Sequence, residues 1–182
     1  MPKPHKADRH LILDIDGVLN SDQPGDLAFS ESRDNHVFRI ESSKLLLLKE
    51  LVEKVNIKRV TLCSNWRHHF SEEEIRSILA SALGNIPIQS QKNRYADDAA
   101  DDKYFLIATS IRNDEATLVL EDFDFGISRV YGLLYYCVES SKGLTQEHVE
   151  TIVSTFDTRI DLNILAADSE ILPLPDFPTD FK

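Results

Sequence analysis

The chain has 182 residues, 42% of them hydrophobic and 28% charged, which is enough for one globular core and excludes wholesale disorder. Its 31 acidic and 20 basic side chains give a formal net charge of -11, which weakens nonspecific attraction to nucleic acid or anionic membrane. The apolar runs are far shorter than the roughly 20 residues of a membrane-spanning helix, and residues 1–10 do not resemble a signal peptide, so we expect a cytoplasmic protein without membrane contact.

A short buried strand is predicted at Leu11–Leu13, where an apolar run ends in Asp14-Ile15-Asp16-Gly17. This strand delivers acidic side chains into a loop. Residues 20–39 contain proline, glycine and several Asp and Ser, so we expect a long loop there, with a small hairpin near Val37–Ile40.

Two amphipathic helices are predicted next. Ser42 or Ser43 can cap the first helix, whose apolar residues recur at helical spacing as far as Val55. The second helix begins with the capping-box pattern Ser71-Glu72-Glu73-Glu74 and ends at Gly84. Each helix has one apolar stripe with which it can cover a sheet.

Further apolar runs predict a second strand at Arg59–Cys63, a third at Thr117–Leu120 and a fourth at Tyr131–Val138. Lys103 opens a predicted helix before the third strand, and Thr145 caps another after the fourth. Strands that alternate with helices favour a parallel sheet with right-handed crossovers. We therefore predict an α/β fold, a Rossmann-like three-layer sandwich with a mostly parallel central sheet.

We expect one domain over residues 1–156 and a C-terminal extension over residues 157–182. The extension carries three prolines, which predict an irregular segment with one short helix near Leu162–Ala167. This segment either packs on the core or is mobile.

The two cysteines are expected to be free thiols. Cys63 and Cys137 both lie in apolar stretches predicted as strands, where a thiol usually behaves as a small hydrophobic side chain. A disulfide between them is not expected in a cytoplasmic protein.

Polar residues follow or close each predicted strand. Ligands of an α/β sheet bind outside the carboxyl ends of its strands. Several carboxylates gathered there repel one another unless a cation joins them, and oxygen ligands suit Mg²⁺. A hydroxyl, a lysine and backbone N–H groups are the donors that a transferring phosphoryl group needs. The residues concerned are Asp14 and Asp16 after strand one, Ser64 and Asn65 after strand two, Glu121, Asp122 and Asp124 after strand three, and Lys103.

The segment Leu13-Asp14-Ile15-Asp16-Gly17-Val18-Leu19-Asn20 resembles the first signature of the haloacid dehalogenase-like (HAD) superfamily. Ser64, after an apolar run, is similar to the second signature and Lys103 to the third. Glu121-Asp122 with Asp124 is similar to the acidic fourth signature. The resemblance implies a HAD-like phosphatase, a phosphoric monoester hydrolase that needs Mg²⁺.

The resemblance also implies roles for the acidic residues. Asp14 would attack phosphorus to form an aspartyl-phosphate, and Asp16 would protonate the leaving group and later activate water. Asp14, the backbone carbonyl of Asp16 and Asp122 would hold Mg²⁺. Glu121 and Asp124 are alternative or outer metal partners, since the acidic spacing of the fourth signature varies.

The phosphate-binding roles would belong to Ser64, Asn65 and Lys103. Ser64 can also simply cap a turn or helix. Lys92 and Arg94 compete with Lys103 for the role of the active-site cation.

A turn without function is the alternative to the first signature, because Asp and Gly favour turns. The four signatures in order favour the site. A calcium-binding EF-hand loop is excluded, because its glycine at position six and glutamate at position twelve are replaced by Leu19 and Gly25.

The chain offers no room for a full cap domain, so we expect an open site that accepts a nucleic-acid end or a nucleotide. Ser64-Asn65-Trp66-Arg67 looks similar to the phosphatase domains of nucleic-acid repair proteins. Trp66 and Arg67 are candidate substrate contacts, and Trp66 is either a base-stacking platform or a core residue. The alternatives are a small-metabolite or phosphoprotein phosphatase and a catalytically silent scaffold of the same fold.

Overall fold

A computed structural model describes residues 8–90, 99–111, 115–125 and 135–167, and it describes the backbone alone for residues 99–102 and 157–167. The helices and strands follow one another in an alternating order. They are β1 (Asp8–Leu13), β2 (Leu27–Arg33), β3 (His36–Glu41), α1 (Ser42–Val55), β4 (Arg59–Leu62), a 3-10 helix (Asn65–His68), α2 (Glu72–Ile78), α3 (Ala80–Leu83), β5 (Ile88–Ser90), α4 (Ala99–Ser110), β6 (Glu115–Glu121), β7 (Tyr135–Cys137) and α5 (Gln146–Ala167).

The central sheet has five strands in the order β5-β4-β1-β6-β7, and every neighbouring pair is parallel. In β1, Leu11 and Leu13 point into one hydrophobic core while Ile12 points into the other. Helices α1, α3 and α5 pack together on the first face, and α4 covers the second face through Leu106 and Ile107. The predicted three-layer α/β sandwich with a parallel sheet is therefore confirmed.

The helix starts differ in part from the prediction. Helix α1 begins at Ser42, but Glu41 occupies its N-cap and makes no side-chain capping bond, so the predicted serine cap is wrong. The capping box of Ser71 and Glu74 is present. Thr145 Oγ1 accepts the backbone N–H of His148, as a cap of α5 should.

Two predicted helices have different bounds. The helix after Ser71 is interrupted at Leu79, which leaves the helical region with ψ 3°, and the short α3 continues to the C-cap Gly84. Helix α4 begins at Ala99, so Lys103 lies in its second turn and does not open it. The acidic residues before Lys103 extend the helix toward its N-terminus, where carboxylates are favourable.

The strand predictions missed one edge of the sheet. β5 has only three residues and was not predicted. Ile88 is followed by the polar residues Gln89 and Ser90, so this segment shows no alternation of apolar and polar side chains. The fourth predicted strand is present as Tyr135–Cys137, and residues 131–134 lie outside the described residues. Both cysteines are free, but Cys137 is exposed on β7, so only Cys63 has the predicted buried position.

A two-stranded hairpin fills the segment between β1 and α1. β2 and β3 pair antiparallel with Arg33 opposite His36, so the loop consists of Asp34 and Asn35 alone. Both loop residues have positive φ, 51° and 65°, as a type I′ turn requires. The described residues contain no full cap domain, in agreement with the prediction.

Helix α5 runs from Gln146 to Ala167 and so crosses the predicted boundary at residues 156/157. That boundary stays a prediction, and residues 168–182 lie outside the described residues. Within the described ranges, no helix is both long and apolar enough to cross a membrane.

Candidate functional site

Three buried polar side chains meet at the carboxyl end of the central strands. Ile12 and Val119 face the α4 core, and side chains two residues apart on a strand share a face, so Asp14 and Glu121 point toward the same side. Cys63 belongs to that core as well. One ligand atom from each of Asp14, Cys63 and Glu121 lies within 4.8 Å of the other two.

The backbone hydrogen bonds between the strands fix the positions of these three side chains. The Asp14 N–H donates to the Leu120 carbonyl at 3.0 Å, and the Cys63 N–H donates to the Leu13 carbonyl at 2.9 Å. These bonds continue the β1–β6 and β1–β4 ladders by one step beyond the strands. The strand ends are therefore aligned, and their side chains cannot move apart without breaking the sheet.

Lys103 reaches this group from α4 on the same face. Its Nζ lies 2.9 Å from Asp14 Oδ2 and 3.1 Å from Glu121 Oε1. Asp14 is 1% exposed and Glu121 is fully buried, so one ammonium group serves two carboxyl groups that are shielded from water. Buried charges are tolerated when they are paired in this way.

The proton balance of the group follows from burial and charge. Burial raises the pKa of Glu121, and the negative charge of Asp14 raises it further, so Glu121 retains its proton more readily than an exposed glutamate. Burial lowers the pKa of Lys103, but the charges of Asp14 and Glu121 outweigh this effect, and the net pKa is raised. Lys103 therefore stays charged.

Cys63 adds a hydrogen-bond donor to the group. Burial raises the pKa of the Cys63 thiol well above its usual value, and the nearby charges of Asp14 and Glu121 raise it further. The thiol thus keeps its proton, and its Sγ lies 3.5 Å from Glu121 Oε2. Sequence reasoning missed this role, although the position of Cys63 directly before Ser64 at the end of an apolar run was a usable signal.

The carboxylates of Asp14 and Asp122 are the groups here that could hold a hard cation. Asp14 Oδ1 is buried and has no hydrogen-bond partner among the described residues, which is a costly arrangement for a carboxylate oxygen. Asp122 contacts the loop after β1, because a Cβ on Gly17 would lie 2.1 Å from Asp122 Oδ2. Carboxylate oxygens suit Mg²⁺, whereas a protonated thiol is no ligand for it. Asp124 is exposed.

Asp16 lies in the loop after β1 and is held by two donors. Trp66 Nε1 donates to both carboxylate oxygens, at 3.0 and 3.1 Å, and Asn20 Nδ2 donates to Oδ1 at 3.1 Å. Loss of hydration raises the pKa of Asp16; the hydrogen bonds from Trp66 and Asn20 oppose this shift without cancelling it. Asp16 thus keeps a proton to higher pH than an exposed aspartate, as a general acid requires.

Asn20 supports this loop and was not predicted as a site residue. Its Oδ1 accepts the Gly17 N–H at 2.8 Å, while its Nδ2 also donates to the Arg39 carbonyl at 2.9 Å. Asn20 therefore ties the loop to β3 and to Asp16. Its place in the first signature was the only sequence signal for this role.

Trp66 and Arg67 are interior residues. Both are fully buried, and the Trp66 ring packs against Phe29, Phe38 and Phe70. Arg67 Nη1 donates to the carbonyls of Cys63 and Ser64, each at 2.7 Å. Burial leaves neither side chain a surface for a substrate, which corrects the expectation that they contact one.

The predicted phosphate ligands stand at the start of the 3-10 helix. Ser64 is buried, and its Oγ accepts the Trp66 N–H at 3.4 Å as the N-cap. A hydroxyl that accepts a hydrogen bond still has its own hydrogen to donate. Asn65 is exposed beside it. The competing cations Lys92 and Arg94 lie outside the described residues.

The sequence model of one protein family, described as "HAD domain in Swiss Army Knife RNA repair proteins", matches residues 10–149 of the 182-residue chain. The match includes the sheet from His10 of β1 onward, the hairpin and every candidate site residue. No curated protein and no solved structure matches the chain.

The close contact of Gly17 with Asp122 generates the first prediction. Gly17 has φ +71°, and an added Cβ would overlap Asp122 Oδ2, so Gly17→Ala should lower the free energy of unfolding by more than about 2 kcal/mol. The measurement is urea denaturation. Gly84→Ala is the matched control, because Gly84 also has positive φ, 56°, but no atom within 4 Å of the new Cβ.

Gly84→Ala should lose stability from backbone strain alone, so adding Asp122→Ala to it should recover nothing. Adding Asp122→Ala to Gly17→Ala should recover part of the loss, since it removes the overlapping carboxylate. No recovery in the Gly17 double variant would contradict the contact.

Proposed function

Because the chain belongs to the family of HAD domains found in Swiss Army Knife RNA repair proteins, we propose that it is a Mg²⁺-dependent phosphatase acting on a nucleic-acid end or nucleotide phosphate. The observation that carries the proposal is the buried position of Asp14 and its contact with Lys103. This carboxylate is buried at the carboxyl end of β1, and Lys103 Nζ lies 2.9 Å from its Oδ2. A nucleophilic carboxylate must be held in one position by the protein, as the sheet and Lys103 hold Asp14.

The reaction uses Asp14 and Asp16 in turn. A carboxylate oxygen of Asp14 forms a bond to phosphorus, the bond from phosphorus to the ester oxygen breaks, and Asp16 gives its proton to that departing oxygen. Asp16, now a carboxylate, then takes a proton from water as the water oxygen attacks the aspartyl-phosphate. The second step releases phosphate and restores both residues.

Lys103, Ser64 and Asn65 support this chemistry. Lys103 orients Asp14 and offsets the negative charge that gathers at the phosphoryl group. The Ser64 hydroxyl and the Asn65 amide donate to phosphoryl oxygens. Lys103 also contacts Glu121, whose retained proton limits the number of negative charges that the bound phosphate meets.

Mg²⁺ would be held by Asp14, the Asp16 backbone carbonyl and Asp122, with Glu121 or Asp124 as alternative or outer partners. When bound, the ion supplies positive charge to the phosphoryl oxygens. The buried carboxylate of Asp14 and the carboxylate of Asp122 next to Gly17 support this assignment.

The nucleic-acid substrate class rests on two observations. The family is described by its occurrence in RNA repair proteins. Between β1 and α1 the described residues form a hairpin and no cap domain, which is the arrangement expected of an enzyme with a large substrate. A strong preference for sugar phosphates or phosphopeptides over oligonucleotides would overturn this substrate class.

The nucleophile is tested by Asp14→Asn, which keeps the shape of the side chain but removes its ability to accept a phosphoryl group. Turnover of p-nitrophenyl phosphate and of phosphorylated oligonucleotides should fall by roughly a thousandfold or more. Circular dichroism should show a folded protein. Asp22→Asn, the same change at an exposed loop residue, is the control and should retain activity. Near-normal turnover by Asp14→Asn would remove the covalent mechanism.

The metal is tested by chelation. EDTA should abolish phosphatase activity and Mg²⁺ should restore it, whereas Ca²⁺ should inhibit, because its higher and more variable coordination disturbs the attack geometry. Isothermal titration of the metal-free protein gives a readout independent of turnover, and Asp122→Asn should weaken Mg²⁺ binding there. Full activity in chelator with no bound metal is the contrary result.

The role of Asp16 as general acid predicts an effect of the Trp66 hydrogen bond. Trp66→Phe keeps an aromatic ring but removes the donor that orients Asp16, so kcat/KM for an alkyl phosphate should fall about tenfold, although the pKa of Asp16 rises and more of it is protonated. kcat/KM for p-nitrophenyl phosphate should change little, because p-nitrophenolate departs without protonation. Phe29→Leu alters the same ring cluster without removing a hydrogen bond and serves as the control. Equal losses for the two substrates in Trp66→Phe would indicate a packing role alone.

A further inference from the structure

Phe123 is a large apolar side chain left in solvent directly beside the acidic group. It follows Asp122 in the chain and is 60% exposed. Asp122 in turn contacts Gly17 in the loop that carries Asp16. Single exposed apolar side chains are common on protein surfaces, so it is the position of this ring beside the acidic group that makes it a candidate contact for a ligand.

The position of Phe123 is fixed from two sides. The Tyr135 hydroxyl of β7 donates to the Phe123 carbonyl, which holds the backbone. The Phe123 ring meets the Phe125 ring edge to face, with centroids 4.9 Å apart. A ring anchored in this way loses little conformational entropy when a ligand stacks on it.

A short path of contacts connects this pair of rings to the nucleophile. The Phe125 ring centroid is 6.0 Å from Lys103 Nζ, and Lys103 is bound to Asp14. Phe123 is therefore connected to the Asp14–Lys103 pair through one aromatic ring. These two contacts limit how far the Phe123 ring can lie from Lys103 Nζ, so the base of the terminal nucleotide is the part of the substrate that would reach it.

We infer that Phe123 stacks on the terminal base of a single-stranded nucleic acid whose terminal phosphate is bound at Asp14. The inference rests on the proposed function. Every base has a stacking face, so this contact binds any sequence. The charge of -11 permits few phosphate contacts, and stacking supplies affinity without positive charge. Trp66, whose ring donates to Asp16, is fully buried and does not compete for this role.

The test compares kcat/KM of Phe123→Ala and the unaltered protein on three substrates. The first is a short single-stranded oligonucleotide with a terminal phosphate, and the second is the same oligonucleotide with an abasic terminal residue. The third is p-nitrophenyl phosphate. Both oligonucleotides are made in two versions, with the phosphate at the 3′ end or at the 5′ end. Phe123→Ala should lower kcat/KM on the base-bearing oligonucleotide by roughly 5- to 150-fold, the range that one stacked base supplies. It should leave the other two substrates unchanged.

Two variants serve as controls. Phe105→Ala removes another exposed phenylalanine, 54% exposed, which is two residues from Lys103 on α4 and so faces away from it. This variant should behave like the unaltered protein. Phe123→Tyr keeps a stacking ring and should retain kcat/KM on the base-bearing oligonucleotide.

The outcomes separate the inference from the proposed function. An equal effect of Phe123→Ala on base-bearing and abasic oligonucleotides, or no effect on either, overturns the stacking role. Hydrolysis of p-nitrophenyl phosphate by the unaltered protein would show in the same experiment that the protein is a phosphatase, whatever the role of Phe123. If the unaltered protein hydrolyses none of the three substrates, the proposed function fails and the stacking role fails with it.

Discussion

The alternation of side chains along parallel strands is the constraint on which the site depends. Three adjacent strands end in register, and the residues that follow the α4-facing positions bring Asp14, Cys63 and Glu121 into one buried group. A shift of one residue in either ladder would turn these side chains to the opposite face. Lys103 then neutralises a group whose geometry the backbone has already imposed.

Much of this could be predicted from the sequence, because it depends on local patterns. Apolar runs located β1, β4 and β6, and the polar residues after them identified Asp14 and Glu121 as neighbours. The Ser71 capping box marked a helix start because its bonds lie within four residues. These features need no knowledge of how distant segments pack.

The remaining features depend on contacts between distant segments. Whether Trp66 faces solvent or the interior is decided by Phe29 and Phe38, which belong to a hairpin more than twenty residues away in sequence. The exposure of Cys137 follows from the position of β7 at the sheet edge, which strand order alone determines. For the same reason, the sequence left Trp66 open between a base-stacking platform and a core residue, and it did not single out Phe123 as an exposed ring.

The hairpin is linked to the loop of Asp16 through the segment that carries Trp66. Arg33 reaches across from β2, with Nη2 2.8 Å from Glu74 Oε1 and Nη1 2.9 Å from the His69 carbonyl. The turn end of the hairpin is thus fastened to the segment that carries Trp66, although Asp34 and Asn35 themselves are solvent-exposed. The hydrogen bonds of Asp16 come from Trp66 and Asn20 and do not involve the two turn residues. The turn is accordingly a site where, over evolutionary time, the protein could acquire a larger covering structure and a narrower range of substrates without rebuilding its chemistry.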